Sequence, residues 1–278
     1  MNSLFSCPHC GRELCRGEKS YRCPQGHSFD IASEGYVYLL PPNQKHAKIP
    51  GDNKQMVSAR RMFLDAGWYE KFSNTLNTLA ETFLSAYNHP LQILDAGCGE
   101  GYYTGRLYEF LSRKGIPPET AGFDISKFAV KAAAKRYPKI EFAVASSFHI
   151  PVAAQSFDLA VNIFAPLVPT ELERILRFHG IFIYAVPSES HLYGLKEILY
   201  EHPYKNEKKE TEYPGFVLEE RVPVRDMLRL SDPGAIQALF SMTPYYWKTP
   251  AEGSERLLHT EFLETEIGFD FLIYRRKE

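Results

Sequence analysis

The segment Ile93-Leu94-Asp95-Ala96-Gly97-Cys98-Gly99-Glu100-Gly101 constrains the fold of this 278-residue chain more than any other. An apolar run that ends in an acid and passes through three alternate glycines into a helical pattern reads as strand, tight loop and helix. Glycine at such positions lets the backbone turn sharply and approach a ligand with no Cβ in the way. Strand-like runs at Leu91 to Ala96, Ala121 to Ile125, Glu141 to Ala145, Phe157 to Ile163 and Ile181 to Val186 alternate with helical patterns near Tyr102 to Arg113, Lys127 to Arg136, Pro169 to Arg177 and Ser190 to Tyr200. This alternation predicts an α/β fold, a doubly wound, mostly parallel, Rossmann-like sheet with helices on both faces. The tail adds a charged stretch from Lys205 to Glu212, a helix near Pro233 to Phe240 and a last strand from Glu261 to Tyr274.

The glycine loop is followed by Gly122-Phe123-Asp124-Ile125-Ser126, in which Asp124 ends the next strand and can accept both hydroxyls of a ribose. Nicotinamide enzymes place a ribose acid at a similar distance, but their glycine spacing is G-x-G-x-x-G. The spacing here favours S-adenosylmethionine, with Asp95, Gly97, Gly99 and Asp124 as contacts. After the fourth strand, Asn162-Ile163-Phe164-Ala165-Pro166 occupies the place where many methyltransferases present a polar residue and a proline to a planar amine or amide. Asn162, Phe164 and Pro166 are therefore candidates for positioning a base. A strand end with a proline stop explains the same residues equally well.

Four of the five cysteines fall within the first 23 residues, which argues for a metal site over a disulfide framework. The spacing Cys7-x2-Cys10-x12-Cys23-x3-His27 sets two pairs of donors on two turns, as a tetrahedral structural Zn²⁺ requires. Cys15 and His9 are spare donors outside that pattern. Three regions follow: a zinc module over 1–40, an irregular linker over 41–60 marked by Pro41, Pro42, Pro50 and Gly51, and a main domain over 61–278. Residues 1–61 carry nine Lys/Arg against five Asp/Glu, leaving 23 against 29 for the remainder. The N-terminal part is thus the better candidate for meeting a polyanion. Arg12, Arg16, Lys19 and Arg22 surround the metal site, with Tyr21, Phe29 and Tyr36 nearby, a mixture suited to phosphates and unstacked bases; Phe29 and Tyr36 read better as the module's core. No window reaches the roughly 18 apolar residues of a membrane span, and Met1 to Ser6 lack a basic leader, so a cytoplasmic location is expected.

The runs CPxCG, SYRCPQGHSFDIASEGYVYLL, PGDNKQMVSARRMFLDAGWY, LDAGCGEGYYT, DISKFAVKAAAKRYP, VASSFHIP and MTPYYW resemble the bacterial 23S rRNA (guanine-N1)-methyltransferase family over nearly the whole chain, most densely in residues 5–150. The resemblance implies a seven-stranded methyltransferase sheet and S-adenosylmethionine-dependent methylation of guanine N1 in a hairpin loop of 23S rRNA, by a homodimer whose zinc modules help form the RNA cleft. Its metal ligands fall on Cys7, Cys10, Cys23 and His27, and its cofactor contacts on Tyr69, Tyr103, Thr104, Asp124 and His191. The match thins after Pro166: Asn162 and Phe164 depart from the Arg and Tyr of enterobacterial members, and the stretch from His202 to Pro214 diverges. Which guanine of the loop is modified stays open. For the base, Phe164, Tyr245 and Trp247 are candidate stacking partners. Rival readings are a small-molecule methyltransferase with a purely structural ribbon and a non-catalytic RNA-binding or ribosome-assembly protein.

Overall fold

The computed structural model describes residues 2–45, 47, 50–208 and 211–278. Residues 46, 48 and 49 of the expected linker and 209 and 210 of the charged stretch lie outside the described residues. The chain opens with four short antiparallel strands, β1 (Asn2–Ser6), β2 (Glu13–Arg16), β3 (Ser20–Arg22) and β4 (Ser28–Asp30), followed by β5 (Val37–Tyr38). Helices α1 (Lys54–Asp65) and α2 (Glu70–Leu84) lead into β6 (Gln92–Ala96), α3 (Tyr102–Arg113), β7 (Glu119–Asp124), α4 (Lys127–Arg136), β8 (Glu141–Val144), β9 (Phe157–Ile163), α5 (Pro169–Ile175), β10 (Leu176–Pro187) and α6 (Tyr193–Leu199). The tail is β11 (Phe216–Leu230), α7 (Pro233–Ser241), α8 (Tyr245–Lys248), α9 (Ala251–Leu258) and β12 (Leu263–Arg276).

The main sheet has the order β11-β12-β10-β9-β6-β7-β8-β5, with β12 antiparallel to both its neighbours. Every residue of β9 is buried, as expected of a central parallel strand covered on both faces. The strand order reverses at β6, which is parallel to both β7 and β9, and the glycine loop leaves the carboxyl end of that strand, where open α/β sheets bind their ligands. Local signals set the helix ends. Asn53 caps α1 by accepting from Met56 N, Ser126 caps α4 by accepting from Ala129 N, and Asp232 with Pro233 starts α7.

Two departures from the expected seven-stranded sheet have clear causes. The eighth strand is β5, which runs parallel to β8 with Val37 opposite Ala143, and Leu39 N continues the ladder to Val144 O. The segment just before residue 40 is therefore an edge of the main sheet. The strand absent from the sequence reading is β11, whose 15 residues pair with β12 along nearly their full length. It is an edge strand with only Phe216, Val224, Leu228 and Leu230 buried and with Pro223 inside it, so it lacks the regular alternation that marks a strand.

The strands sort their side chains by period two. Ile93, Ile181, Ile183, Phe269 and Phe271 face a core shared with α2, α3, α6, α7 and α9. Leu94, Ala96, Phe182, Leu272 and Tyr274 face a second core shared with α5 and with Phe5, Leu14, Tyr21, Val37 and Leu39 of the N-terminal segment. The ribbon thus serves as part of the covering layer on that face. Its hinge to the sheet is the carboxylate of Glu141, which accepts from Ser3 Oγ at 2.6 Å, Leu4 N at 3.3 Å and Tyr21 Oη at 3.1 Å. Tyr21 is fully buried in this contact, which removes it from the RNA-facing aromatics expected from the sequence. Tyr36 is buried and Phe29 half-buried, as core residues should be.

Candidate metal centre and cofactor site

The β1–β2 turn carries Cys7 and Cys10, and the β3–β4 turn carries Cys23 and His27. Each turn is closed by its own backbone, Gly11 N donating to Cys7 O and Gly26 N to Cys23 O. The four donor atoms lie within 4.8 Å of one another. Sγ of Cys10 and Cys23 are 3.7 Å apart, and His27 Nδ1 is 3.5 Å from Cys7 Sγ and 3.3 Å from Cys23 Sγ. Tetrahedral zinc with bonds of about 2.3 Å to sulfur and 2.0–2.1 Å to nitrogen has edges of about 3.8 Å between sulfurs and about 3.6 Å between sulfur and nitrogen. The donor set and its spacing fit Zn²⁺, and all four positions are filled by protein, as in a structural site. Cys15 lies on β2, exposed, within 3.9 Å of Asn2 Oδ1 and apart from the quartet. His9 lies against the rings of His27 and Phe29. Arg12, Lys19 and Arg22 are exposed around the ribbon, and Arg16 stands over the Tyr21 ring.

At the end of β6 Asp95 is buried, its Oδ2 accepting from Thr104 Oγ1 at 2.6 Å while Oδ1 has no protein partner. Burial pushes its carboxyl up to about 7, only partly offset by the Thr104 hydrogen bond. Gly97 has φ +94, and a Cβ placed on it would stand 2.2 Å from Ala165 Cβ, so glycine is required where the glycine loop meets the β9 loop. Asp124 receives Gly99 N at 3.0 Å and Ser126 N at 2.8 Å; burial nevertheless raises its pKa, outweighing these two donors. Glu100 is buried beside Arg136, and both its oxygens lack a hydrogen-bond partner. Burial pushes it up to about 7.

Two of the residues carried over by resemblance, Tyr69 and His191, meet at one ring. Phe269 of β12 lies 5.2 Å from Tyr69, 4.6 Å from Phe72, 4.9 Å from Phe164 and 4.4 Å from His191, centroid to centroid. Tyr69, at the start of α2, is buried with its hydroxyl unpartnered. Tyr103, beside the glycine loop, packs edge-on against Phe72. His191 accepts from Gly268 N at 3.4 Å, and burial pushes it down to about 3, assisted by the fields of Lys196 and Arg225; its ring is neutral at physiological pH. Asp95 and Glu100, on the strand end and the loop itself, keep buried oxygens without a partner among the described residues, which is the condition of a site built for a polar ligand.

The β9 loop carries the residues expected to position a base. Asn162 is buried; its Nδ2 donates to Ala96 O at 3.1 Å and Pro166 O at 3.4 Å, tying the loop to the end of β6, while its Oδ1 has no partner among the described residues. Phe164 does face outward: it is 47% exposed and holds φ +57, a left-handed conformation costing on the order of 1–3 kcal/mol that the rings of Phe72 and Phe269 brace. Tyr245 is partly buried beside Lys196, with its hydroxyl 3.4 Å from Asn206 Oδ1, whereas Trp247 is exposed. Phe269 was missed because Gly268-Phe269-Asp270-Phe271 reads only as strand. Arg60 and Asp52, also missed, lie in what reads as an irregular linker, yet they stand at the glycine loop.

Residues 5–48 match the family model of the RlmA N-terminal zinc ribbon, and residues 88–232 match a methyltransferase domain. The 23S rRNA (guanine(748)-N(1))-methyltransferase of Streptomyces fradiae is 33% identical, covering 97% of this chain and 95% of that protein. YxjB of Bacillus subtilis, provisionally given a 23S rRNA (guanine-N(1)-)-methyltransferase name, is 28% identical across 98% of this chain and 96% of that protein. Among solved structures, the YcgJ protein of Bacillus subtilis superposes with a TM-score of 0.48 at 13% identity, covering 74% of this chain and 98% of that one. A zinc ribbon and a glycine-loop sheet built on one core, matched from end to end at this identity, place the chain in the family of zinc-containing, S-adenosylmethionine-dependent 23S rRNA (guanine-N1)-methyltransferases.

Proposed function

We propose that this chain transfers the methyl group of S-adenosylmethionine to N1 of a guanine in a hairpin loop of 23S rRNA, acting as a cytoplasmic homodimer. The end-to-end similarity to the Streptomyces fradiae enzyme carries the reading. Among the described residues no helix is long and apolar enough to cross a membrane. The bound cofactor supplies the electrophilic methyl group; the chain's residues orient the reactants. Asp95, Gly97, Gly99, Thr104 and Asp124 form the cradle, and Tyr69, Tyr103 and His191 close it from the Phe269 side. Guanine N1 carries a weakly acidic proton, and its lone pair becomes a nucleophile as that proton leaves. Alignment and electrostatic stabilisation of the resulting anion are what the site must provide. Phe164 and Trp247 present exposed aromatic faces on which an everted base can stack, with Asn162 and Pro166 fixing the Phe164 turn. His191, neutral and buried, offers no positive charge to repel the sulfonium.

The test is methyl transfer by the purified zinc-loaded protein to 23S rRNA, with the product nucleoside identified by mass spectrometry, paired with mapping of rRNA from a deletion strain. N1-methylguanosine that forms in vitro and disappears from one loop in the deletion strain is the expected result. Unmodified RNA in the assay together with an unchanged map would refute the reading.

A further inference from the structure

The segment read as a linker reaches the cofactor cradle through Gly51, Asp52 and Arg60. Gly51 holds φ +74 and lies so close to the end of β7 that a Cβ would stand 2.9 Å from Ile125 Cγ2 and 3.0 Å from Ser126 N. Ser126 Oγ donates to Asp52 O at 2.6 Å, two residues beyond Asp124. The start of α1 is thereby fastened to the strand end that bears the ribose acid. Two turns along α1, the Arg60 guanidinium pairs with the Asp52 carboxylate, and its Nη2 donates to Met242 O at 3.1 Å, at the end of α7. Its Nη1 lies 3.8 Å from where a Cβ on Gly99 would be, the one neighbour of that open position apart from the adjoining residues.

These contacts leave most of the five guanidinium N–H groups available. Of the neighbouring cations, Arg61 pairs with Asp65 and Arg136 with Asp65 and Glu100, and among the described residues it is Arg60 that stands against Gly99. The cradle otherwise presents acids, Asp95, Glu100 and Asp124, which suit an ammonium group and ribose hydroxyls but repel a carboxylate. S-adenosylmethionine carries one carboxylate, at its methionine end, and that group needs a cation or backbone donors. From these facts we infer that Arg60 is the cation that binds the methionine carboxylate of S-adenosylmethionine, with Asp52 holding the guanidinium over Gly99. A planar fork of donors suits a carboxylate better than an ammonium does. The inference rests on the cofactor assignment and is independent of which RNA is methylated.

The experiment compares two ligands that differ by the group in question. S-adenosylhomocysteine has the amino-acid end; 5′-methylthioadenosine keeps the adenosine and sulfur and lacks it. Calorimetric titration of zinc-loaded wild type and Arg60→Ala is expected to show roughly 10- to 100-fold weaker S-adenosylhomocysteine binding in the variant, the range for a charged hydrogen-bonded contact. Binding of 5′-methylthioadenosine should stay within about twofold, which also reports that the variant is folded. Arg60→Lys should recover part of the lost affinity. Equal weakening of both ligands would make Arg60 a scaffold residue and overturn the inference, as would unchanged binding of S-adenosylhomocysteine. A wild-type protein that binds neither ligand would refute the cofactor assignment and the inference with it.

Discussion

Replacing Glu141 with alanine should loosen the zinc ribbon from the main sheet although Glu141 lies far in sequence from every ribbon residue. The carboxylate holds Ser3 Oγ, Leu4 N and Tyr21 Oη, and the Tyr21 side chain is buried with 0% of its surface exposed. Hydrogen bonds to a charged group contribute roughly 1.5–3 kcal/mol when both partners are sealed from water, and about 0.5–1.5 kcal/mol otherwise. All three bonds are part-buried, which gives about 1.5–4.5 kcal/mol for Glu141→Ala. In a protein of this size that corresponds to roughly 3–18 °C in the melting temperature. Tyr21→Phe removes one bond and the buried hydroxyl together and should cost only about 1 kcal/mol. Glu141→Gln retains an acceptor oxygen and should fall between the two. The assay is urea unfolding of the zinc-loaded protein, combined with the rate at which a chromophoric chelator draws off the metal, which should rise in Glu141→Ala. A cost below about 1 kcal/mol for Glu141→Ala, or equal costs for Glu141→Ala and Tyr21→Phe, would refute the view that this carboxylate is the anchor.

Three further outcomes are expected. Metal analysis of Cys23→Ser should show loss of the bound zinc, whereas Cys15→Ser, which alters an exposed side chain outside the quartet, should retain one zinc per chain. With Asp95 pushed up to about 7, its carboxyl is largely protonated at pH 6 and ionised at pH 8. Because the cofactor's ammonium favours the ionised form, S-adenosylhomocysteine affinity should rise by at least roughly tenfold over that interval, and Asp95→Asn should flatten the slope to the part that Glu100, also pushed up to about 7, contributes. The sign for folding is the reverse: a carboxyl whose folded pKa lies above its unfolded value of 3.8 binds more protons when folded, so the ligand-free protein loses stability as pH rises from about 4 through 7. A flat titration curve for the wild type would contradict this. Gly97→Ala brings a Cβ to 2.2 Å from Ala165 Cβ on a backbone with φ +94, and should cost about 3 kcal/mol in denaturant unfolding. Adding Ala165→Gly should restore about half, by removing the clash and leaving the backbone strain.

What the sequence determined by itself was whatever is written in neighbouring residues. The Cys7, Cys10, Cys23 and His27 quartet is legible because each pair sits on one turn, and the structure brings the four donor atoms within 4.8 Å. The helices Tyr102–Arg113 and Lys127–Arg136 and the strand Phe157–Ile163 coincide with the expected ranges, since capping residues and buried apolar runs are local signals. The resemblance carried Tyr69 and His191 to one neighbourhood, but not its centre: Phe269 becomes their common neighbour only when β12 returns antiparallel to β10, bringing a tail strand against α2. The same holds for the ribbon. Its spacing shows a metal site, yet that its apolar residues would cover one face of the sheet, with β5 as an added strand, depends on contacts across more than a hundred residues. Arg60 is one more polar residue on an amphipathic helix until Gly51 and Ser126 fasten α1 to the end of β7 and place its guanidinium at Gly99. Backbone conformation and metal spacing are set by near neighbours; which side chains meet in a cleft is set by how layers pack, and residue periodicity alone does not contain that register.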